Sequence, residues 1–251
     1  MTKQILDGAA ISSKELNVAR EAYLGKLTIE LLGERIGHFS FKNITELDLR
    51  NCKIKEVDCL SKGDLKNLRK LNFDYNLLTN IDCFISLTGL RYLSLNNNRI
   101  ERLLSTDPVS QSSSGSNLIY GQTPKIDMSS IARLTSFLPI LEELYLGNNL
   151  INRISDLCLY RMKNLKVLYL HGNKIVKIEG FEHMTNVVEL VLDKNQIKAT
   201  EPASFVSLIN LKHLSIRENR LKTLANFDCI PNLQRLFAGS NRIHELYDIE
   251  V

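Results

Sequence analysis

The side chains best suited to chemistry are two histidines, His171 and His213, with Asp193 in a position to serve the first of them. Acid–base or nucleophilic catalysis needs such a base within hydrogen-bond reach of a nucleophile or a second acid. Five cysteines, Cys52, Cys59, Cys83, Cys158 and Cys229, show no C-x-x-C spacing, and their odd number argues against a closed disulfide framework. The chain carries no glycine-rich phosphate loop and no nucleophile elbow. Whether the histidines can act therefore depends on the elements that position them.

Those elements repeat. Leu141-Glu-Glu-Leu144-Tyr-Leu146-Gly-Asn-Asn149-Leu-Ile151 returns as Leu165-Lys-Val-Leu168-Tyr-Leu170-His-Gly-Asn173-Lys-Ile175. The first position of this motif recurs at Ile44, Leu68, Leu90, Leu141, Leu165, Val187, Leu211 and Leu233, at intervals of 24, 22, 51, 24, 22, 24 and 22 residues. The ninth position is Cys52, Asn76, Asn98, Asn149, Asn173, Asn195, Asn219 and Asn241. An asparagine amide both donates and accepts, so it satisfies backbone groups in a tight turn between stacked coils; the thiol of Cys52 is a weaker substitute. After each strand come apolar residues three apart, such as Ile175, Ile178, Phe181 and Met184, which predict a helical turn, α or 3₁₀.

The motif resembles a leucine-rich repeat. The expected fold is an α/β solenoid: a leucine-rich repeat arc with a parallel β-sheet on the concave face, helical or 3₁₀ segments on the convex face, and an N-terminal helical cap. The cap is assigned to residues 1–43. Ile11 to Gly25 and Thr28 to Ile36 have helical spacing, although Ile29 and Leu31 also alternate as a strand would. Eight repeats then fill 44–251, interrupted at about 105–131 by a serine-rich insert expected to be a flexible loop. The insert reads as a tolerated insertion, with a phosphorylated regulatory arm as the alternative. The chain stops at Tyr247-Asp-Ile249-Glu-Val251 without a capping helix, which predicts a fragment of a longer protein or an end-to-end contact through the last repeat.

The repeats are similar to the intracellular, 22-residue subclass typified by a regulatory subunit of protein phosphatase 1. The run from Gly25 to Gly37, the insert after Asn98-Arg-Ile-Glu-Arg102, and the run from Lys163 to Asn173 resemble a longer member of that family. The resemblance implies the solenoid and leaves the biochemical role open.

Phasing the repeat places Glu46, Lys70, Tyr92, Glu143, Val167, Glu189, His213 and Arg235 in the third column of the concave face. The fifth column is Asp48, Asn72, Ser94, Tyr145, Tyr169, Val191, Ser215 and Phe237, and the seventh includes Arg50, His171, Asp193 and Arg217. His171 and His213 then lie two coils apart, roughly 10 Å between backbones, too far for an easy shared metal. The reading is non-enzymatic, with no cofactor and no metal. Across the concave columns Arg50, Lys70, Lys194, Arg217 and Arg235 face Glu46, Asp48, Asp74, Glu143, Glu189, Asp193 and Glu218, a balance that argues against nucleic acid as the partner. No run approaches the roughly 20 apolar residues of a membrane span, and the first residues carry no signal-peptide core, so the chain is expected to be cytoplasmic, with cilium or nucleus as alternatives.

A protein partner remains. Tyr92, Tyr145, Val167, Tyr169, His171, Val191, His213 and Phe237 are the expected contacts, since large amphipathic aromatics on an open face serve as interface anchors. Their high strand propensity is the competing explanation. The alternatives to a plain interaction module are a regulatory subunit of an enzyme such as a phosphatase, and a structural component of a ciliary or cytoskeletal assembly.

Overall fold

The computed structural model describes residues 25–27, 41–57, 65–84, 87–103 and 138–246. Residues 11–24 of the helix expected over Ile11 to Gly25, the whole of Thr28 to Ile36, and the insert at about 105–131 lie outside the described residues.

The strands are β1 (Lys26–Leu27), β2 (Glu46–Asp48), β3 (Glu56–Val57), β4 (Lys70–Asn72), β5 (Tyr92–Ser94), β6 (Glu143–Tyr145), β7 (Val167–Tyr169), β8 (Glu189–Val191), β9 (His213–Ser215), β10 (Thr223–Leu224), β11 (Arg235–Phe237) and β12 (Glu245–Leu246). Eight of them form one parallel sheet in the order β2, β4, β5, β6, β7, β8, β9, β11. The order follows the chain because each coil stacks only on its neighbours. β1 pairs with β3, and β10 with β12, as two small parallel sheets beside the main one.

Register follows the motif without a slip. Glu143 pairs with Val167 and Tyr145 with Tyr169, so third-position residues face third-position residues along the whole sheet. Between them the fourth-position leucines Leu71, Leu93, Leu144, Leu168, Leu190 and Leu214 point inward and are fully buried. A one-residue slip would exchange these leucines for the polar face, and that cost fixes the register.

Each strand is short because the chain turns at the eighth position. Asn51, Tyr75, Asn97, Asn148, Lys194, Glu218 and Ser240 all have positive φ there, and Gly172 does the same with φ 68°. The left-handed region strains ordinary side chains, so this turn must be held by its surroundings. The asparagine one position later holds it. Asn173 Nδ2 donates to the carbonyls of Leu146 and Leu170, both at 2.9 Å, while its Oδ1 accepts from the Ile151 amide of the coil before. Asn76, Asn98, Asn149, Asn195, Asn219 and Asn241 repeat the pattern. Cys52 contributes a weak bond from Sγ to the Arg50 carbonyl at 3.3 Å.

On the far side, the segments expected as α or 3₁₀ are 3₁₀ in the described residues: Phe41–Asn43, Leu65–Asn67, Asp82–Phe84, Ser155–Leu157, Leu159–Arg161 and Pro202–Ser204. A coil of 22 to 24 residues leaves room only for short turns of three, two of which share the coil that begins at Leu141. Here lies a second asparagine column, which the motif did not announce. Asn164, Asn186, Asn210 and Asn232 each precede the first leucine or valine of a repeat and donate to Pro139, Lys163, Thr185 and Ile209 carbonyls of the coil before, at 2.7, 2.7, 2.9 and 2.7 Å.

The core is one continuous cluster from Leu27 to Ile230, with Phe73 against Phe84 at 5.1 Å and Phe205 against Phe227 at 5.6 Å between ring centroids. In β11, Leu236 is only partly buried, since among the described residues one neighbouring coil covers it rather than two.

Candidate binding face

The eight residues expected on the concave face fall into two joined features. The first is a rail of rings across β5, β6 and β7. Tyr92 meets Tyr145 at 5.1 Å between centroids, Tyr145 meets Tyr169 edge-on at 4.9 Å, and Tyr169 meets His171 at 6.3 Å. Tilted and edge-to-face contacts at these distances are the favourable arrangements of aromatic quadrupoles. Val167 sits beside the rail between Glu143 and Glu189 in the ladder, and Val191 continues it, paired with Tyr169 on one side and Ser215 on the other.

The hydroxyls of Tyr145 and Tyr169 are tied down. Tyr145 donates to Glu143 Oε2 at 2.7 Å, and Tyr169 donates to Glu189 of the next strand. Burial, followed by the hydrogen bond to Glu143, holds the Tyr145 hydroxyl well above the usual phenol range. Burial and Glu189 together push Tyr169 up to about 12, and burial raises Tyr92. These rings therefore stay neutral and in fixed orientation across the physiological range.

The second feature is a hollow of about 220 Å³ beyond Val191. It opens because Ser215 follows Tyr145, Tyr169 and Val191 in the fifth column, and a small residue leaves a gap where its neighbours fill space. His213 and Phe237 wall it, with Arg217 and Asp193 at its edge. Phe237 is 40% exposed, and the Arg217 guanidinium lies 4.4 Å above its ring. His213 Nδ1 is buried without a hydrogen-bond partner among the described residues.

His171 and Asp193 do not form the pair that their adjacency suggested. Asp193 Oδ1 accepts from the Ser215 hydroxyl and the Arg217 amide, both at 2.7 Å. Asp74 does the same for Ser94 and the Asn96 amide one half-array earlier, at 2.6 and 2.7 Å. These aspartates are brackets for the next coil. His171 instead lies flat against Gly147, where an added Cβ would stand 2.1 Å from its Cε1. Burial lowers its pKa, with the Asp193 charge opposing. Among the described residues no group of three or more His, Cys, Asp or Glu side chains could hold a metal ion.

Charge is distributed unevenly along the sheet. At the first coils Arg50 pairs with Asp48 at 2.7 Å and Lys70 with Glu46 at 3.2 Å, and Lys194 meets Glu218 at 3.6 Å. Glu142, just off the concave columns, is clamped between Arg91 and Lys166, which hold its carboxyl below the usual range. Glu143 and Glu189 have no ion pair among the described residues; their recorded partners are the two tyrosine hydroxyls.

The leucine rich repeat profile matches residues 42–100, 139–197 and 185–243, which is most of the chain and includes every strand of the main sheet. The chain belongs to the leucine-rich repeat family. Among its relatives, the protein phosphatase 1 regulatory inhibitor subunit PPP1R7 homolog of Arabidopsis thaliana is 26% identical over 161 residues, covering 62% of this chain and 46% of that protein. Lumican of Homo sapiens is 32% identical over 195 residues, covering 66% of this chain and 56% of that protein. This leucine-rich repeat chain thus spans about half the length of the curated relatives it matches. In a crystal structure of a TLR13–ssRNA13 complex, the TLR13 chain superimposes with a TM-score of 0.67 at 24% identity, covering 88% of this chain and 27% of that one, a likeness of leucine-rich repeat fold alone. Among the described residues, no helix is long and apolar enough to cross a membrane.

Proposed function

We propose that this leucine-rich repeat protein is a non-enzymatic interaction module whose concave face binds a protein partner. The rail of Tyr92, Tyr145 and Tyr169 carries the reading. Three rings in tilted and edge-on contact, two of them with hydroxyls held by Glu143 and Glu189, present rigid, partly apolar surface, and so lose little entropy when a partner covers them. Val167, Val191 and His171 extend that surface, and His213 and Phe237 frame a hollow able to take one protruding side chain.

The fold does not by itself choose protein over nucleic acid, since the TLR13 neighbour is in complex with a single-stranded RNA. Charge supports protein: the concave columns carry more carboxylates than cations, and a phosphate chain needs the reverse. A cytoplasmic location belongs to the same reading.

Capture from cell extract on wild-type chain and on a Tyr145→Ala, Tyr169→Ala double variant is the test. A protein retained by the wild type and lost by the variant is the expected result. Equal recovery by both places the binding surface elsewhere, and RNA recovered in place of protein overturns the reading. The likeness to the phosphatase regulatory subunit homolog favours one second reading, a regulatory subunit, which predicts a phosphatase catalytic subunit among the captured proteins.

A further inference from the structure

The carboxylates beside the aromatic rail say what kind of segment it would hold. In the third, fifth and seventh columns of β5, β6, β7 and β8 there is no lysine or arginine, yet Glu143, Glu189 and Asp193 stand there with three tyrosines. On β2 and β4 the same columns supply cations that pair with Asp48 and Glu46. The middle of the face therefore holds carboxylates with no cation in their columns, whereas the first coils set Arg50 and Lys70 against Glu46, Asp48 and Asp74, and β9 and β11 supply Arg217 and Arg235 with no carboxylate.

Glu143 and Glu189 are also placed in a particular way. Each accepts a tyrosine hydroxyl, which fixes its carboxylate against the ring edge and leaves lone pairs toward solvent. Donating a hydrogen bond to a carboxylate pushes electron density back into the phenol ring, making its face more attractive to a cation. A lysine or arginine reaching the rail would meet a ring face and a carboxylate together.

We propose that the partner docks through a basic segment, seating a lysine or arginine over Tyr145 and Tyr169 between Glu143 and Glu189. This deepens, and rests on, the concave-face reading above. An extended segment runs about 3.3 Å per residue and the coils are about 4.8 Å apart, so a side chain three or four residues further on reaches the hollow at Ser215. There Val191, Phe237 and His213 suit an apolar side chain. The segment therefore alternates basic and apolar residues over a short span.

The test uses the full chain and a fluorescein-labelled peptide of repeating Lys-Leu-Ser, with a Glu-Leu-Ser peptide and an oligouridylate as competing probes. The lysine peptide is expected to bind best. Its Kd should rise about tenfold in a Glu143→Gln, Glu189→Gln variant, which keeps both hydroxyl acceptors and removes only charge. A Glu182→Gln variant, altered at an exposed residue outside the sheet, should bind as the wild type does, and unchanged melting temperatures in both variants would separate binding from folding. Tighter binding of the acidic peptide or the RNA, no binding of the lysine peptide, or equal binding by wild type and the Glu143, Glu189 variant overturns the proposal. The two readings separate on the captured partner: if it is lost from the tyrosine variant but kept by the glutamine variant, the concave site stands and its basic occupant falls. If neither variant loses it, both fall.

Discussion

The carboxamide of Asn173 bonds four backbone groups on two coils from a site that is 6% exposed. Asn173→Ala would leave the Leu146 and Leu170 carbonyls and the Ile151 amide without that partner inside the solenoid. A loss of about 2–4 kcal/mol is expected in denaturant unfolding, because buried groups stripped of a partner pay their full desolvation cost. His171 offers a second residue-level test. Its ring rests where a Cβ on Gly147 would be, so Gly147→Ala should turn it outward and bring its pKa back up toward 6.5, observable by NMR titration of the imidazole protons. The sign for stability follows. Below pH 6.5 the unfolded chain binds the proton more readily than the folded one, so stability falls as pH drops from 6.5 toward the lowered folded pKa. His171→Gln should remove that part of the slope, as measured by urea unfolding between pH 7.5 and pH 5.

Among the elements, the strands were the most legible part of the sequence. L-x-x-L-x-L-x-x-N states which residues face inward, and the register of all eight strands follows from it, so the concave columns are legible in the sequence alone. What the motif could not state is how side chains share partners across coils. Asp193 looked like a partner for His171 because adjacency is visible and competition is not; Ser215 and the Arg217 amide take its carboxylate instead. The second asparagine column is not legible in the motif, although Asn164, Asn186, Asn210 and Asn232 recur in phase, because an asparagine before a leucine or valine reads as an ordinary loop residue. These bonds run along an exposed edge. Asn186→Ala is accordingly expected to cost about 0.5–1 kcal/mol, well below Asn173→Ala in the same unfolding assay, since water can replace an exposed partner. The helical turns were predicted in place but not in kind: apolar residues three apart suit α and 3₁₀ turns alike, and only the length of the coil decides.

At the scale of the whole molecule, the array is a one-dimensional stack whose two faces are built differently. The sheet face holds aromatic rings fixed by hydrogen bonds, with hydroxyls neutral and orientations set by Glu143 and Glu189. The segments that carry the 3₁₀ turns expose separate apolar side chains, Tyr160, Val206 and Ile209 among them, and these are individually more exposed than any residue of the rail. Single exposed apolar residues are common on soluble proteins, whereas a contiguous pre-ordered cluster is the mark of an interface. The account therefore predicts that binding depends on which face is altered and not on how much apolar surface is removed. The direct measurement is calorimetric titration of the captured partner against three chains: wild type, Tyr145→Ala with Tyr169→Ala, and Val206→Ala with Ile209→Ala. A Kd weakened at least about tenfold by the tyrosine pair and unchanged by the valine–isoleucine pair is the predicted result. Loss of affinity in the second pair with none in the first would contradict it.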